Sequence, residues 1–165
     1  MTATREVDGA RYRLGVGLML VNNAGLIFVG ERDDTPGAWQ MPQGGIDEGE
    51  DPREAALREL GEEIGTSAAH IVAESADWLR YEFPDFLAGK AFKGKYAGQM
   101  QKWYLLRFEG TDADIRLDAH EQEFVQWRWA SPDEVIAAIV PFKRGLYETI
   151  LAEFASELRR IAAGA

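Results

Sequence analysis

The sequence predicts an α+β fold in which a mixed β-sheet is packed between helices. Apolar stretches typical of strands recur from residue 12 to residue 129, and helical segments lie among them without the strict alternation of a parallel βαβ fold. The chain has 165 residues, of which 46% are hydrophobic, which is enough for one domain with a substantial core. We therefore expect a single domain over residues 11–165, preceded by a loose arm at residues 1–10.

The first part of this domain is predicted to be a hairpin followed by a loop. Residues 12–21 are mostly apolar and predict a strand that is buried on both faces. The Asn-Asn-Ala-Gly sequence at 22–25 is a turn signal, and the apolar residues 26–30 predict the returning strand. Residues 31–38 contain Pro36 and predict a loop.

An acidic stretch at residues 44–66 predicts a glycine-rich turn and then a helix. Pro52 suits the first turn of a helix, where its missing N–H is no loss, and Gly65 suits the position after the last turn. Three apolar residues at helical spacing predict its buried stripe: Leu57, Leu60 and Ile64.

Three carboxylates, those of Glu59, Glu62 and Glu63, share another face of this helix. Like charges at this spacing destabilise a helix by about 0.2–0.5 kcal/mol, and the helix dipole disfavours anions near the C-terminal end. A hard divalent cation would reverse both penalties, since carboxylate oxygens are the ligands that Mg²⁺ and Mn²⁺ prefer. A solvated acidic face is the alternative that these three residues alone leave open.

The second half of the chain predicts further strands and two helices. Residues 71–83, 101–108 and 124–129 predict strands, separated by a basic loop at 84–99 and a polar loop at 109–120.

Helices are expected at the end of the chain. Ser131, Pro132 and Glu134 together form the start signal of a helix, with serine as the cap. Residues 142–163 carry apolar residues on one stripe and predict one long amphipathic helix.

Charge and composition exclude several classes of protein. The formal charge of −10 argues against an extended nucleic-acid-coating surface, DNA included, although a bound metal can invert the local field. The chain has no cysteine, so it has no disulfide, thiolate or zinc–cysteine site. The polar N-terminus carries no signal sequence and no apolar run is long enough to span a membrane, so we expect a cytoplasmic protein.

The acidic stretch resembles the Nudix box, whose pattern is G-x5-E-x7-R-E-U-x-E-E-x-G-U, with U a bulky aliphatic residue. Eight residues fall in register: Gly44, Glu50, Arg58, Glu59, Leu60, Glu62, Glu63 and Gly65. Thr66 departs from the pattern, because an aliphatic residue is usual there.

This resemblance implies an α/β/α sandwich and the hydrolysis of a nucleoside diphosphate linked to another group. It implies that Glu59, Glu62 and Glu63 bind Mg²⁺ or Mn²⁺ and act in catalysis, with Gly44 beside them in the metal site. Glu63 is the candidate closest ligand and general base. By the same resemblance, the side chains of Arg58 and Glu50 tie the box loop to the helix.

Further segments are similar to one branch of the family, which contains bacterial RNA pyrophosphohydrolases and diadenosine tetraphosphate hydrolases. These segments are residues 12–13, 39–45, 98–104, 123–129 and 142–147. Leu14-Gly15 and Met41 depart from the branch pattern, where Pro-Asn and phenylalanine are common.

The branch resemblance assigns roles outside the box. Glu123 resembles the distant glutamate that adds a fourth carboxylate to the metal site, and the register favours it over Glu121. Arg13, Arg32 and Lys143 resemble residues that contact phosphate.

An aromatic residue is expected beside these cations, since a nucleobase offers a face for stacking. Phe142 resembles such a residue, with a core position as the alternative. Tyr96 and the lysines of its loop would either close over the phosphates or form a solvated loop.

The resemblance is compatible with two alternative substrates. One is 5′-triphosphorylated RNA, from which pyrophosphate is removed to leave 5′-monophosphate RNA, a step that promotes mRNA decay. The other is a dinucleoside polyphosphate such as diadenosine tetraphosphate, cleaved asymmetrically. A catalytically idle nucleotide-binding module on the same fold is the alternative of another class.

Overall fold

A computed structural model describes residues 1–164, and its strands form one mixed sheet that lies between helices, as the α+β class predicts. The strands are β1 Thr4–Val7, β2 Ala10–Val21, β3 Ile27–Arg32, β4 Trp39–Gln40, β5 Gln43–Gly45, β6 Ala69–Glu74, β7 Leu79–Glu82, β8 Gly98–Phe108 and β9 Phe124–Ala130. The helices are α1 Pro52–Ile64, α2 Asp85–Ala88, α3 Pro132–Ala138, α4 Arg144–Glu153 and α5 Ala155–Ala162. Residue 165, at the end of the predicted domain, lies outside the described residues.

Strand β2 is the centre of the sheet. It runs parallel to β8 from the pair Tyr12–Gly98 to the pair Val21–Arg107, and antiparallel to β1, β3 and β5. Its residues 16–21 are all buried, because one core lies between the sheet and α3, α4 and α5 and a second lies between the sheet and α1. The predicted two-sided burial of this strand is therefore confirmed.

The prediction of a loose N-terminal arm is wrong. Residues Thr4–Val7 pair with Ala10–Arg13 in a hairpin whose turn places Asp8 and Gly9 at φ angles of 52° and 81°. The arm also contacts the loop before α1, since the Ala3 N–H donates to the Ile46 carbonyl at 2.7 Å. Backbone pairing of an apparently polar segment leaves little trace in a sequence pattern, which is why this strand was not expected.

Helix α1 begins and ends where its sequence predicts. The Asp51 side chain accepts a hydrogen bond from the Arg53 N–H at 2.7 Å, and Gly65 closes the helix in the left-handed conformation at φ 74°. The predicted buried stripe is partly wrong, because Leu57 is 44% exposed. Instead the buried face contains two of the acidic residues together with alanines and aliphatics: Ala55, Ala56, Glu59, Leu60, Glu63 and Ile64.

Two segments in the middle of the chain differ from their prediction. The predicted strand 71–83 is split into β6 and β7 because the chain bends at residues 76–77, just after Ser75, whose backbone and side chain are hydrogen-bonded to the Trp103 backbone. The predicted loop 84–99 contains α2 and a 3-10 turn at Ala91–Gly94.

The predicted helix 142–163 begins as a 3-10 turn at Pro141–Lys143 and breaks at Phe154, which is buried between α4 and α5. After this break, α5 buries Leu158 and Ile161 in the same core as α4. The capped helix start at Ser131 is confirmed as α3. Within residues 1–164, the helices are all too short or too polar to cross a lipid bilayer.

Candidate active site

The site is built where the glycine-rich turn meets the central strand. Strand β5 pairs with β2 through Gly15–Gly45, Val16–Gly44 and Gly17–Gln43. A Cβ atom at Gly15 would meet the Gly44 carbonyl oxygen, and a Cβ atom at Gly44 would fall inside the Glu59 carboxylate. The glycines therefore let a carboxylate of α1 lie directly against the backbone of β5.

Arg58 is the hub of the acidic loop. Its guanidinium donates two hydrogen bonds of 2.9 Å to the Glu50 carboxylate and one of 2.9 Å to the Gly45 carbonyl. It also donates to Glu59 at 3.0 Å and to Glu62 at 3.2 Å. Beside Arg58, the pKa of Glu50 lies below its ordinary value, so this pair fastens the loop to α1 as an ion pair.

Two of the predicted carboxylates are buried. The pKa of Glu59 is raised to about 7, mainly by burial. The pKa of Glu63 is raised well above its ordinary value, first by burial and then by the charges of Glu123 and Glu59, while the Gln43 backbone N–H opposes the shift. Glu63 Oε2 is buried without a hydrogen-bond partner in the described part of the chain.

The other two predicted carboxylates are closer to solvent. Glu62 is partly exposed, and Glu123 lies exposed just before β9, near enough for its charge to act on Glu63 and Glu59. In residues 1–164, no three acidic, histidine or cysteine side chains are grouped as a finished metal site. The four carboxylates are therefore near neighbours, two of them held by Arg58, and do not form a preformed ligand shell.

This donor set nevertheless fits a divalent cation. Buried carboxylates that repel one another need either protons or a cation, and the unpartnered oxygen of Glu63 is free to accept either. All the acidic donors are hard carboxylate oxygens, the type that Mg²⁺ and Mn²⁺ prefer. Rotation of Glu59 and Glu62 away from Arg58 would give both side chains free oxygens.

Two predicted arginines lie on the sheet side of the carboxylates. Arg13 donates to Gln99 at 3.3 Å and stacks 4.5 Å above the ring of Phe92. Burial lowers its pKa, and the charge of Glu59 acts in the opposite direction. Arg32 is paired with Asp34 through two hydrogen bonds of 2.6 and 2.8 Å. The Asp34 contact was not expected, and an anion would compete with it for Arg32.

Lys143 is a buried cation, only 3% exposed. Its Nζ donates to Gln40 at 3.2 Å and lies 5.4 Å from the centre of the Tyr81 ring. Burial, with the nearby charge of Arg32, lowers the pKa of Lys143 to about 7. A buried ammonium with one neutral acceptor has donors left for a phosphate oxygen.

Phe142 is partly buried beside this lysine. Its ring lies 6.0 Å from that of Tyr81 and 6.5 Å from that of Phe86. A groove opens along its outer edge, between β7 and the start of α4. The residue thus packs on the core and still presents an edge to open space, so both interpretations of its role remain compatible with its position.

Tyr96 lies at the end of the 3-10 turn, with its ring 5.8 Å from that of Phe92. Its charge interaction with Arg13 places it at the rim of the site. The three lysines of the same segment are exposed and point away from the core: Lys90, Lys93 and Lys95.

Two buried glutamines of β8 are hydrogen-bonded to residues of the site, and sequence reasoning assigned them no role. Gln101 accepts from the Trp103 indole at 3.2 Å and donates to Gln43 at 3.0 Å. Gln99 donates to the Tyr81 hydroxyl at 2.8 Å. The glutamines lie in segments that resembled the family branch, but glutamine alone gives no signal of buried pairing.

The chain is similar to known proteins over most of its length. The NUDIX domain model matches residues 11–150. An RNA pyrophosphohydrolase of Rhodospirillum rubrum is 54% identical over 147 residues, covering 89% of both chains. One of Cereibacter sphaeroides is 53% identical and covers 96% of this chain and 99% of the relative. One of Rickettsia bellii is 52% identical and covers 88% and 91%.

Solved structures show the same fold at low identity. The Escherichia coli dihydroneopterin triphosphate pyrophosphohydrolase superposes with a TM-score of 0.67 at 17% identity, covering 85% of this chain and 95% of that one. A Caenorhabditis elegans Ap4A hydrolase complex superposes with a TM-score of 0.63 at 22% identity, covering 87% and 98%. These two likenesses concern the arrangement of the sheet and helices alone.

Proposed function

The chain belongs to the NUDIX family, and from that premise we propose that it removes pyrophosphate from 5′-triphosphorylated RNA, leaving 5′-monophosphate RNA. Proteins named RNA pyrophosphohydrolase from Rhodospirillum rubrum and Roseobacter denitrificans are 54% and 50% identical to it over most of both chains, which supports this proposal. Enzymes of this family generally use divalent metal ions, and we propose Mg²⁺ or Mn²⁺ for this one. The product would be a substrate for mRNA decay.

The buried oxygen of Glu63 is the observation that carries this proposal. It has no hydrogen-bond partner among the described residues and lies near the carboxylates of Glu59 and Glu123. A purely structural carboxylate in such a place would be neutralised or replaced by an apolar residue, because burying an unpaired charge is costly. The presence of four neighbouring acids, two of them buried, supports an ionic partner and argues against an idle binding module.

We assign the metal positions to Glu59, Glu62, Glu63 and Glu123, beside the backbone of Gly44. Bound divalent ions would acidify water and neutralise charge on the phosphates. Glu63 is the proposed general base, because its buried Oε2 has no hydrogen-bond partner among the described residues and is free to accept a proton. Water would attack a phosphorus of the triphosphate, its proton would pass to Glu63, and pyrophosphate would leave.

The cations of the site supply binding for the triphosphate. Lys143 has unused donors, Arg13 lies between Gln99 and Phe92, and Arg32 can exchange Asp34 for an anion. Arginine and lysine bonds to phosphate are charge-assisted and therefore strong. Phe142, whose edge faces the groove, is the proposed stacking partner of a nucleobase near the 5′ end, and Tyr96 at the rim would close the phosphate side.

One panel of substrates tests the proposal. The purified protein is incubated with Mg²⁺ or Mn²⁺ and with 5′-triphosphorylated RNA, diadenosine tetraphosphate, ADP-ribose or a nucleoside triphosphate. Release of pyrophosphate with formation of 5′-monophosphate RNA is the expected result. Faster asymmetric cleavage of diadenosine tetraphosphate at matched concentration would make the dinucleotide the substrate, and hydrolysis of none of the four would refute the enzyme.

Glu63→Gln is the matched variant, with Glu54→Gln as its control on the exposed face of the same helix. Loss of a general base lowers kcat by about 100- to 10,000-fold, so Glu63→Gln should fall in that range and Glu54→Gln should match the wild type. Full activity of Glu63→Gln would remove this residue from the mechanism while leaving the reaction class in place.

A further inference from the structure

An exposed surface beside the site combines aromatic and basic side chains. We name it the lysine–aromatic surface; it consists of Phe86, Lys90, Phe92, Lys93 and Lys95. Phe86 is 68% exposed and Phe92 is 43% exposed, which places both among the six exposed large apolar side chains of the described residues. Exposed aromatics at this density need an explanation, because water contact with a ring is costly.

The charge of this surface is opposite to that of the chain. Residues 84–97 contain three lysines and one aspartate, a formal charge of +2, within a protein of charge −10. None of the three lysines forms an ion pair within the described part of the chain. Unpaired cations interleaved with exposed rings are the features with which proteins bind single-stranded nucleic acid.

The surface is continuous with the proposed active site at two points. The Phe86 ring lies edge-on to Phe142 at 6.5 Å, and Phe92 lies beneath the Arg13 guanidinium at 4.5 Å. Phe92 also stacks on Phe83 at 6.1 Å, which anchors it to the core. A strand that leaves the 5′-end site past Phe142 would therefore meet Phe86 next.

The backbone holds these side chains outward. Phe92 and Lys93 both have positive φ angles, of 51° and 60°, a conformation that costs residues other than glycine about 1 kcal/mol or more each. This conformation turns the chain so that the Phe92 ring lies against Arg13 while Lys93 remains in solvent. The segment is thus held in one shape that presents both kinds of side chain.

We propose that the lysine–aromatic surface binds the RNA nucleotides that follow those held in the 5′-end site. A base would stack on Phe86, and the lysines would contact the neighbouring phosphates. Phe92, whose ring packs on Arg13 and Phe83, would contact the strand with its exposed part. This inference rests on the proposed function, and it confines RNA recognition to one small basic face of an acidic protein. The occupant is single-stranded RNA, because an exposed ring stacks on unpaired bases, which a duplex does not present.

Substrate length tests the inference. Values of kcat/KM are measured for a 5′-triphosphorylated dinucleotide and for a 5′-triphosphorylated RNA of twelve unpaired nucleotides, with wild type and with Phe86→Ala. We expect Phe86→Ala to lower kcat/KM for the long RNA on the order of 5- to 100-fold, the loss of one stacked base, and to change the dinucleotide less than about twofold. Val72→Ala, which trims an exposed apolar side chain on β6, is the matched control and should change neither.

A second variant replaces charge without touching the rings. Lys90 and Lys95 are exposed, so the double change Lys90→Gln and Lys95→Gln should leave folding intact. For the long RNA, the slope of log kcat/KM against log salt should become shallower by about 1.4, since each contact with a single strand contributes about 0.7. Arg159→Gln with Arg160→Gln on α5 is the control and should keep the wild-type slope.

The outcomes separate the two proposals. Suppose that the wild type hydrolyses both RNAs and that the ratio of kcat/KM for the long RNA to kcat/KM for the dinucleotide is the same in every variant. That result would refute RNA binding by the lysine–aromatic surface and would leave the proposed function in place. Hydrolysis of neither RNA by the wild type would overturn the proposed function, and the surface would fall with it. A shift confined to the dinucleotide would also overturn the surface, because it would place Phe86 inside the 5′-end site.

Discussion

The carboxylate of Glu59 occupies the space that a Cβ atom at Gly44 would fill. Gly44 does not have a positive φ angle, so its lack of a side chain is required by this contact and not by its backbone conformation. The contact joins the middle of α1 to β5 and sets how deeply an acidic side chain can lie in the site.

Gly44→Ala should therefore displace Glu59 and impair catalysis. Misplacing a catalytic group by about 1 Å can cost on the order of 100-fold in rate, so kcat should fall by about that factor. Gly61→Ala is the control, since a Cβ atom there meets nothing within 4 Å and alanine favours a helix. Steady-state kinetics of both variants check the prediction, and an unchanged kcat in Gly44→Ala would contradict it.

Arg58→Lys should destabilise the protein by about 2 kcal/mol, because lysine cannot reproduce the paired bonds to Glu50 and the bond to Gly45. Urea unfolding measures the change. Arg53→Lys is the control on the same helix: its ion pair with Glu74 is exposed and should matter little.

This difference should depend on pH. The folded-state pKa of Glu50 lies below its ordinary 4.5, so the stabilisation from Arg58 is present above about pH 4.5 and is lost as the pH falls through the lower folded value. The gap between wild type and Arg58→Lys should therefore narrow in acid. A gap that stayed constant down to pH 2 would show that Glu50 is not the main partner.

Lys143 should make triphosphate binding depend on pH near neutrality. Its pKa of about 7 in the free protein means that the ammonium is lost as the pH rises above 7, and a polyphosphate binds the charged form better. On the alkaline side, kcat/KM should therefore decline with rising pH. Lys143→Arg keeps its charge, so its decline should begin at higher pH.

Three neighbouring charges act on the pKa of Lys143 in opposite directions. Arg32 lowers its pKa, while Asp34 and Glu63 raise it. For stability the sign is fixed: the folded pKa lies below the ordinary 10.5, so the unfolded chain binds more protons and stability rises with pH between about 7 and 10.5. An alkaline limb identical in wild type and Lys143→Arg would assign that limb to another group.

The acidic helix could be predicted from sequence because its signals are local. Pro52 and Gly65 mark its ends as expected, and the Asp51 side chain, which was not predicted as a cap, adds a hydrogen bond at the start. Its buried face could not be predicted as well: apolar spacing favoured Leu57, but the sheet buries Glu59 and Glu63 instead. Hydrophobic periodicity assigns carboxylates to the solvent-exposed face of a helix, but in this site two of them are buried.

Side-chain hydrogen bonds between residues far apart in sequence could not be predicted, for a different reason. The hydrogen bonds from Gln101 to Gln43 and from Gln99 to Tyr81 join residues that are 58 and 18 positions apart. The partner of Arg32 is only two residues away, yet Asp34 lay in a loop whose shape no periodicity describes. Residues that act through such contacts become visible only once the strands are placed.

Helix α4 is joined to the segment before β5 by a buried hydrogen bond. The Met41 N–H donates to the Tyr147 hydroxyl at 2.9 Å, so α4 holds the segment that leads into Gln43 and Gly44. Tyr147→Phe leaves this buried N–H unpaired, at a cost of about 1–3 kcal/mol. We expect a lower urea midpoint together with a lower kcat, because the strand that carries Gly44 loses its anchor.

Tyr104→Phe is the matched control. Tyr104 is equally buried, but its hydroxyl has no hydrogen-bond partner among the described residues, so its removal should leave midpoint and kcat near the wild-type values. If Tyr147→Phe lost stability but kept its kcat, the bond would be structural only. A loss of both stability and kcat would instead show that α4, on the opposite face of the sheet from α1, fixes the position of the acidic loop. Met41 would link the two, because it bonds to Tyr147 and precedes Gln43 and Gly44 in the chain.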